Sequence, residues 1–312
     1  MEMKFNRIFI GGLLCLCGLA QGCSGQRGDS VRYRFTLPSI PAFIVGAEAR
    51  MSYMGLHFWD NYDFKDVSFI RSREGQAALY NYVDLLFRIP TEEGVSDIGD
   101  VMERARADSL TCMEMFAGAE KILYDPNSPL RNETLYMEVL RKMIEWNKLD
   151  DTVKSRPRFQ YRLAQKNRLG DRAVNFTYSL RDGKQSDLYD LRSEYVLLYI
   201  NNPGCGDCKR VEKLLEENLA IGKLIANKRL TVLSVYPDED LVEWRKNEGQ
   251  MPRSWTVAYD KGAVMKRKDL YDLRAIPTLY LLDGDKRVLL KDARFEEIIN
   301  YIEKKILSIG EK

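Results

Sequence analysis

The sequence predicts two domains: a mostly α-helical domain over residues 36–167, then an α/β domain over residues 168–312 whose central mixed sheet is flanked by helices. Three observations predict this order. Up to about residue 167, apolar residues recur at helical spacing with almost no strand-like alternation. Beyond it, continuous apolar runs that suit buried strands alternate with helical patterns. A Cys-x-x-Cys pair also stands where one such run gives way to a helix.

The composition excludes several classes of protein. Of 312 residues, 30% are charged and 45% are hydrophobic, so the chain is too apolar to be disordered and too charged to lie mostly within a membrane. A formal net charge of +2 argues against a nucleic-acid binder that relies on bulk charge. One histidine excludes a site built mainly from histidines, and six cysteines are too few for a disulfide scaffold in a chain of this length.

Helices are predicted at three places in the first domain. Residues 76–88 form one, which Pro90 stops because proline lacks the N–H that a helix interior needs. Ser96 caps a second, whose apolar face continues to Phe116. Asn132 precedes a third, in which apolar residues again recur at helical spacing. These patterns predict a small helical domain.

Strands and helices alternate in the second domain. The apolar run at 195–200 suits a buried strand, and a helical pattern follows from residue 208 to about residue 227. The other predicted elements are strands at 230–236, 278–283 and 287–290, and helices at 241–248 and 295–307. A domain that alternates in this way and ends in a hairpin and a helix is expected to place its strands in one central mixed sheet.

The first residues are typical of an export signal. Lys4 and Arg7 give a basic start, and the apolar run that follows, residues 8–20, is too short to span a bilayer. Residues 1–22 are therefore predicted to be a signal peptide.

The end of that apolar run resembles the bacterial lipoprotein signal, because the small residue Gly22 directly precedes Cys23. The resemblance implies that Cys23 carries lipid as the first mature residue and that residues 23–35 form a linker. It also implies a protein held at a membrane of the bacterial cell envelope by its lipid anchor and facing the periplasm. A plain secretory signal cut near Gly22 is the alternative.

The positions of the six cysteines indicate which of them remain as free thiols in the mature chain. Removal of a signal takes Cys15 and Cys17 away, and acylation blocks Cys23. The thiols that remain are Cys112, Cys205 and Cys208. In an oxidising compartment, an adjacent pair with one distant cysteine indicates a redox motif and a bystander.

Cys205 and Cys208 lie at the predicted start of a helix. Unpaired backbone N–H groups and the positive end of the helix dipole stabilise a thiolate there. One helical turn separates the two residues, so Cys208 can reach Cys205 to close or open a disulfide. Cys205 is predicted to be the attacking thiolate and Cys208 the resolving thiol.

The competing interpretation of this motif is a half zinc site or a haem attachment site. Zinc needs about four ligands, and the spare candidates, Cys112 and His57, lie far away in the other predicted domain. Lys209 stands where haem attachment would need histidine. We therefore expect no metal and no organic cofactor, because two sulfur atoms can carry both electrons.

About 70 residues after the cysteine pair, Ala275-Ile276-Pro277-Thr278 opens a predicted strand. This arrangement resembles the thioredoxin fold, and residues 170–195 are similar to the opening of the TlpA/ResA-type extracytoplasmic thioredoxins. The resemblance implies that Pro277 is cis and packs against the cysteine pair, and that the backbone of Ile276 faces an extended client chain. It also implies the partners, which are client protein thiols or disulfides and an upstream membrane redox donor.

The chain departs from that family around the cysteine pair. Gly204 stands where the family usually has Trp, and Asp207 stands where it often has Pro. Tyr199 occupies the position at which many thioredoxins hold a buried carboxylate. Since Asp207 opposes a Cys205 thiolate whereas Lys209 favours it, the direction of electron flow stays open.

Two other functions compete with an oxidoreductase. In the first, the chain is a non-catalytic binding lipoprotein whose thioredoxin scaffold holds a structural disulfide while the helical domain binds a partner. The second is a peroxidase of the same superfamily, which needs Pro and Thr ahead of the attacking cysteine. Those positions hold Leu198 and Asn202 here, so the peroxidase pattern is absent.

Three further features are interpreted as structural. Cys112, on the apolar face of a predicted helix, is expected to be a small core residue rather than a third redox centre. His57 lies among aromatic residues and aspartates, where a hydrogen-bonded histidine is favoured over a metal ligand or catalytic base. Residues 261–268 are expected to form a solvated loop.

Overall fold

The computed structural model describes residues 35–307. The predicted signal peptide (residues 1–22), Cys23 and nearly all of the predicted linker 23–35 lie outside the described residues. No helix within the described residues is long and apolar enough to cross a membrane.

Helices come first along the chain, in residues 35–167, which we call the helical region. They are α1 (Ala47–His57), α2 (Val67–Arg71), α3 (Arg73–Leu86), α4 (Thr91–Ala105), α5 (Ser109–Leu123), α6 (Glu133–Glu145) and α7 (Asp151–Ala164). Side chains fix several of their starts: Asp66, Ser72, Asp108 and Asn132 each accept a backbone N–H of the helix that follows. These caps satisfy donors that a helix start leaves unpaired. The predicted mostly helical N-terminal part is confirmed.

The helix predicted from Ser96 to Phe116 is wrong in its bounds, because this segment contains two helices. The first, α4, already begins at Thr91 with Pro90 as its N-cap residue. Proline is tolerated there, since the first N–H groups of a helix have no partner within it. The second begins after Asp108, whose side chain accepts the backbone N–H of Thr111 at 2.8 Å.

The rest of the described chain is an α/β region. Its strands are β1 (Thr177–Leu180), β2 (Gln185–Asp187), β3 (Tyr195–Ile200), β4 (Leu230–Tyr236), β5 (Thr256–Tyr259), β6 (Thr278–Asp283) and β7 (Val288–Leu290). They form a seven-stranded sheet in the order β2-β1-β5-β4-β3-β6-β7. Since β3 pairs parallel with β4 and antiparallel with β6, the sheet is mixed, as predicted.

The register of β3 with β6 positions the residues discussed below. Ile200, the last residue of β3, pairs with Thr278, the first residue of β6. In an antiparallel pair, the chain that leaves one strand lies beside the chain that enters the other. The turn after β3 and the segment before β6 therefore meet at one edge of the sheet.

Helices cover both faces of the sheet: α8 (Gly206–Glu217), α9 (Leu219–Ala226), α10 (Leu241–Asn247), α11 (Val264–Arg267) and α12 (Phe295–Tyr301), which a π-helical turn at Ile302–Leu307 extends. The single helix predicted for 208–227 is wrong, because Asn218 interrupts it and caps α9 through the backbone N–H of Ile221. The predicted loop at 261–268 contains α11, and β5 was not predicted.

Both faces of the sheet carry apolar cores, which explains why the run at β3 is continuously hydrophobic. Leu197 and Tyr199 belong to the core on one face, together with residues of α8 and α12. Val196, Leu198 and Ile200 belong to the core on the other face. A central strand buried on both sides gives a rigid base for the turn that follows it.

Candidate functional site

Cys205 lies in the turn from β3 to α8 and is the N-cap residue of that helix. Asn202 holds this turn: its backbone oxygen accepts the N–H of Cys205 at 3.0 Å, and its Oδ1 accepts the N–H of Gly204 at 2.9 Å. Cys205 Sγ accepts the backbone N–H of Cys208 at 3.3 Å. The sulfur of Cys205 therefore lies at the start of a helix, where a backbone N–H can stabilise an anion. Cys205 is half-buried, so its sulfur is not closed off from solvent.

Cys208 lies one turn further along α8 and is buried, with 2% of its surface exposed. Its Sγ accepts the backbone N–H of Asn202 at 3.4 Å. Burial raises the pKa of the Cys208 thiol well above its usual range, and the Asn202 N–H offsets only part of that effect. Both cysteines are present as free thiols, of which Cys205 is the accessible one.

The segment that enters β6 covers the cysteine turn from the other side. The peptide bond between Ile276 and Pro277 is cis, the geometry that the family resemblance implied. The Cys205 thiol donates to the carbonyl oxygen of Ile276 at 3.5 Å. Thr278 Oγ1 donates to the Ala275 oxygen at 2.6 Å, which ties the segment to the start of the strand. The structure therefore brings Cys205, Cys208, Ile276 and Pro277 together at one edge of the sheet.

Tyr199 is fully buried in β3 beneath this turn. Its hydroxyl donates to the backbone oxygen of Cys208 at 2.7 Å, and burial holds its pKa well above the usual range. The phenol is consequently a neutral donor that anchors the first turn of α8. It does not supply the proton acceptor that a carboxylate at this position would provide.

A cavity of about 350 Å³ opens beside Cys208, and Glu212 is among the residues that line it. Burial raises the pKa of the Glu212 carboxyl, and the nearby Glu216 adds to the effect. Sequence reasoning missed Glu212, although its spacing of one helical turn from Cys208 was a usable signal.

The remaining candidates do not join this site. Cys112 is fully buried in α5, with its Sγ 3.8 Å from Met143 Sδ, and burial raises its pKa to about 12. His57 Nδ1 lies 2.7 Å from Asp60 Oδ2, and the His57 ring packs on Tyr53. Across residues 35–307, no group of three or more His, Cys, Asp or Glu side chains is placed to hold a metal ion.

A mixed sheet that carries a Cys-x-x-Cys pair at a helix start, faced by a cis-proline segment, defines the thioredoxin-like class. A crystal structure of a thioredoxin-like protein from Bacteroides caccae is 43% identical to this chain, with a TM-score of 0.84, and the match covers 88% of this chain and 99% of that one. The chain belongs to this family of thioredoxin-like proteins.

Two further comparisons each match part of the chain. Residues 18–167 match a family described as a domain of unknown function, DUF5106. Proteins named thiol-disulfide oxidoreductase ResA match over 143 residues, at 26% identity in Bacillus cereus and 25% in Bacillus thuringiensis. Each ResA match covers 45% of this chain and 80% of the relative. The homologues thus support a redox function at the level of the family.

Proposed function

We propose that the chain is a thiol–disulfide oxidoreductase that exchanges disulfides with client proteins through Cys205 and Cys208. The observation that carries this proposal is the position of the Cys205 sulfur. It lies at a helix start, accepts an N–H from the next turn, and is 3.5 Å from the Ile276 oxygen on a segment that a client chain can pair with. Cys208, buried one turn away, supplies the second thiol.

In the reducing direction, the Cys205 thiolate attacks one sulfur of a client disulfide. An S–S bond forms between Cys205 and the client, and the other client sulfur leaves as a thiolate. Cys208 then loses its proton and attacks Cys205 Sγ. The client leaves as its second thiolate, and two electrons have passed from the Cys205–Cys208 pair to the client. The same steps in reverse oxidise a client dithiol.

Cys208 must be deprotonated for the second step, although burial opposes its ionisation. Since Tyr199 is held neutral, we assign the role of proton acceptor to Glu212, whose half-buried carboxyl lines the same cavity. A carboxyl with a raised pKa takes up a proton more readily than one in water.

We also propose the setting of the reaction. Lipid attachment at Cys23 would hold the protein in the bacterial cell envelope, facing the periplasm, where an upstream membrane redox donor renews the dithiol. The signal-like residues 1–22 support this proposal. Metabolic labelling with a fatty-acid analogue tests it: the wild-type chain should take up label, and the Cys23→Ala variant should not.

The exchange activity is tested by insulin reduction together with a redox titration of the Cys205–Cys208 pair. We expect turnover that Cys205→Ser abolishes, and a pair that mild reductants open and close reversibly. Full turnover by Cys205→Ser would overturn the assignment. If the pair instead forms a disulfide that resists mild reductants, the function is that of a binding scaffold and not of an exchange enzyme.

A further inference from the structure

The segment that leads to the cis proline is held by residues of the helical region. We call residues 268–276 the approach loop. At its beginning, Lys166 Nζ donates to the backbone oxygen of Asp269 at 2.6 Å, and Asn167 Nδ2 donates to the oxygen of Leu270 at 2.9 Å. Lys166 and Asn167 follow the C-cap residue of α7, so the first half of the loop is bound to the end of the helical region.

Tyr124 at the end of α5 holds the second half of the approach loop. The guanidinium carbon of Arg274 lies 3.7 Å from the centre of the Tyr124 ring, and the Tyr124 hydroxyl lies 3.5 Å from Asp272 Oδ2. Arg274 also pairs with Asp272 within the loop. The Tyr124 ring in turn stacks on Tyr136 of α6, with 4.7 Å between the ring centres. A cation–π contact backed by a stacked, largely buried ring is stronger than an exposed one.

A second contact reaches the same place through Asp292. Arg131, between α5 and α6, donates to Asp292 Oδ2 at 2.8 Å, and Arg274 approaches that oxygen at 3.6 Å. The side chains of Arg131, Asp292 and Arg274 keep only 21%, 18% and 22% of their exposure. Charges so largely removed from water hold their geometry, because separating them leaves a desolvated charge without its partner.

Arg274, which contacts both Tyr124 and Asp292, lies two residues before Ile276, whose oxygen faces Cys205. We propose that the helical region sets the position of the client-facing backbone, with Tyr124, Arg131 and Arg274 as positioning residues. This inference rests on the proposed exchange function, since it assigns the helical region a part in holding clients at that site. A cleft of about 620 Å³ at the junction leaves room for the loop to shift when its contacts are removed.

The test compares Arg274→Met and Arg131→Met with a matched control, Arg229→Met. Arg229 forms a two-point ion pair with Glu194, at 2.6 and 2.7 Å, and immediately precedes β4. It therefore lies at the opposite end of the sheet from Cys205, because β4 runs parallel to β3.

We expect Arg274→Met to raise KM for insulin about tenfold while kcat changes less than about twofold. Alkylation of Cys205 by iodoacetamide should stay within about twofold of wild type, because the thiols themselves are not moved. Arg131→Met should shift KM in the same direction from the helical side. An equal KM change in Arg229→Met, or a loss confined to kcat with slower alkylation, would overturn the proposal.

Hydrogen exchange of the approach loop gives a readout that needs no activity. The amides of Leu270 and Arg274, which donate to the Met265 oxygen and to Asp272 Oδ1, should exchange at least about tenfold faster in Arg274→Met and Arg131→Met than in wild type and Arg229→Met. Unchanged exchange would overturn the inference even if KM rises. If wild type fails to reduce insulin, the proposed function is wrong, and the exchange rates still decide whether the helical region holds the loop.

Discussion

The helical and α/β regions each contain a buried thiol, and the difference between the two thiols shows what makes a cysteine useful. Cys112 and Cys208 are both buried in helices, and burial raises the pKa of both. Cys112 contacts a methionine sulfur, whereas Cys208 lies one turn from an accessible thiol and beside a cavity with a carboxyl group. Burial alone makes a thiol inert, and neighbouring groups give it a role.

The largest expected effect is on alkylation of the three thiols. Because the thiolate is the nucleophile, a thiol with a pKa of about 12 is almost wholly protonated at pH 8. Cys205 should react with iodoacetamide at least about 100-fold faster than Cys112 or Cys208. Mass spectrometry after timed labelling, with the denatured chain as control, measures the three rates. Labelling of Cys112 as fast as Cys205 would contradict its place in the core.

The next effect compares buried carboxyls. Asp97 in α4 is 7% exposed and packs against Gly55, and burial, with Glu93 and Asp100 nearby, raises its pKa to about 6. Since the folded pKa exceeds the unfolded one, folding is favoured below about pH 4, and this contribution is lost as the pH rises through about 6. Asp97→Asn should therefore raise the free energy of unfolding at pH 7 by up to about 2 kcal/mol.

Asp292 is the matched carboxyl in the α/β region, and its pKa is also raised to about 6 by burial. Arg131 and Arg274 lower this pKa but offset burial only in part, so Asp292→Asn should also raise the free energy of unfolding at pH 7, by less than Asp97→Asn because the two arginines lose a partner. Urea unfolding between pH 4 and pH 7 measures both variants. A loss of stability in Asp97→Asn at pH 7 would show that its carboxylate has a partner that matters.

A smaller effect separates the roles of Glu212 and Glu216, two of the carboxyls that line the cavity beside Cys208. Glu212→Gln should slow the second step of exchange about tenfold at neutral pH, because Cys208 loses its proton acceptor. In wild type, that step should also slow as the pH falls, because Glu212, whose pKa is raised, becomes protonated and can no longer accept a proton. The rate of the Glu212→Gln variant should not show this loss. Quenched-flow measurement of client release gives the rate. Glu216→Gln, at the more exposed residue lining the same cavity, serves as the control: its rate at neutral pH should match wild type, and its slowing should begin at a lower pH because Glu216 helps to raise the pKa of Glu212.

The smallest expected effect compares two buried tyrosines. The Tyr199 hydroxyl donates to Cys208, whereas the buried Tyr82 hydroxyl in α3 has no hydrogen-bond partner among residues 35–307. Tyr199→Phe should cost about 1 kcal/mol of unfolding free energy, and Tyr82→Phe should be neutral or stabilising. Thermal unfolding of the two variants measures both. Equal losses would mean that the hydrogen bond contributes nothing beyond packing.

Much of the site was predictable because its signals are local. The apolar run at β3 and the helical pattern after Cys205 fix the strand–turn–helix unit without knowledge of other parts of the chain. The position of Pro277 beside the cysteine pair was predicted only from a family resemblance. It depends on the pairing of Ile200 with Thr278, which are far apart in sequence, and no local pattern predicts such a pairing. The four residues of β5 were too few to give a periodic signal.

The contacts between the two regions could not be predicted. Tyr124 and Arg274 are far apart in sequence, and an aromatic residue and an arginine carry no pattern that pairs them. Asn218 was also ambiguous, because asparagine becomes a cap only where the chain actually turns. Such features depend on tertiary packing, which a single sequence does not display.

The most direct test of the account is a trapping experiment with the Cys208→Ser variant in a Cys112→Ser background. Without a resolving thiol, a client that Cys205 attacks should remain attached as a mixed disulfide. We predict that mass spectrometry of cell-envelope extracts will find clients joined to Cys205, and that reductant will release them. Absence of such adducts while the wild-type chain reduces insulin would contradict the central claim.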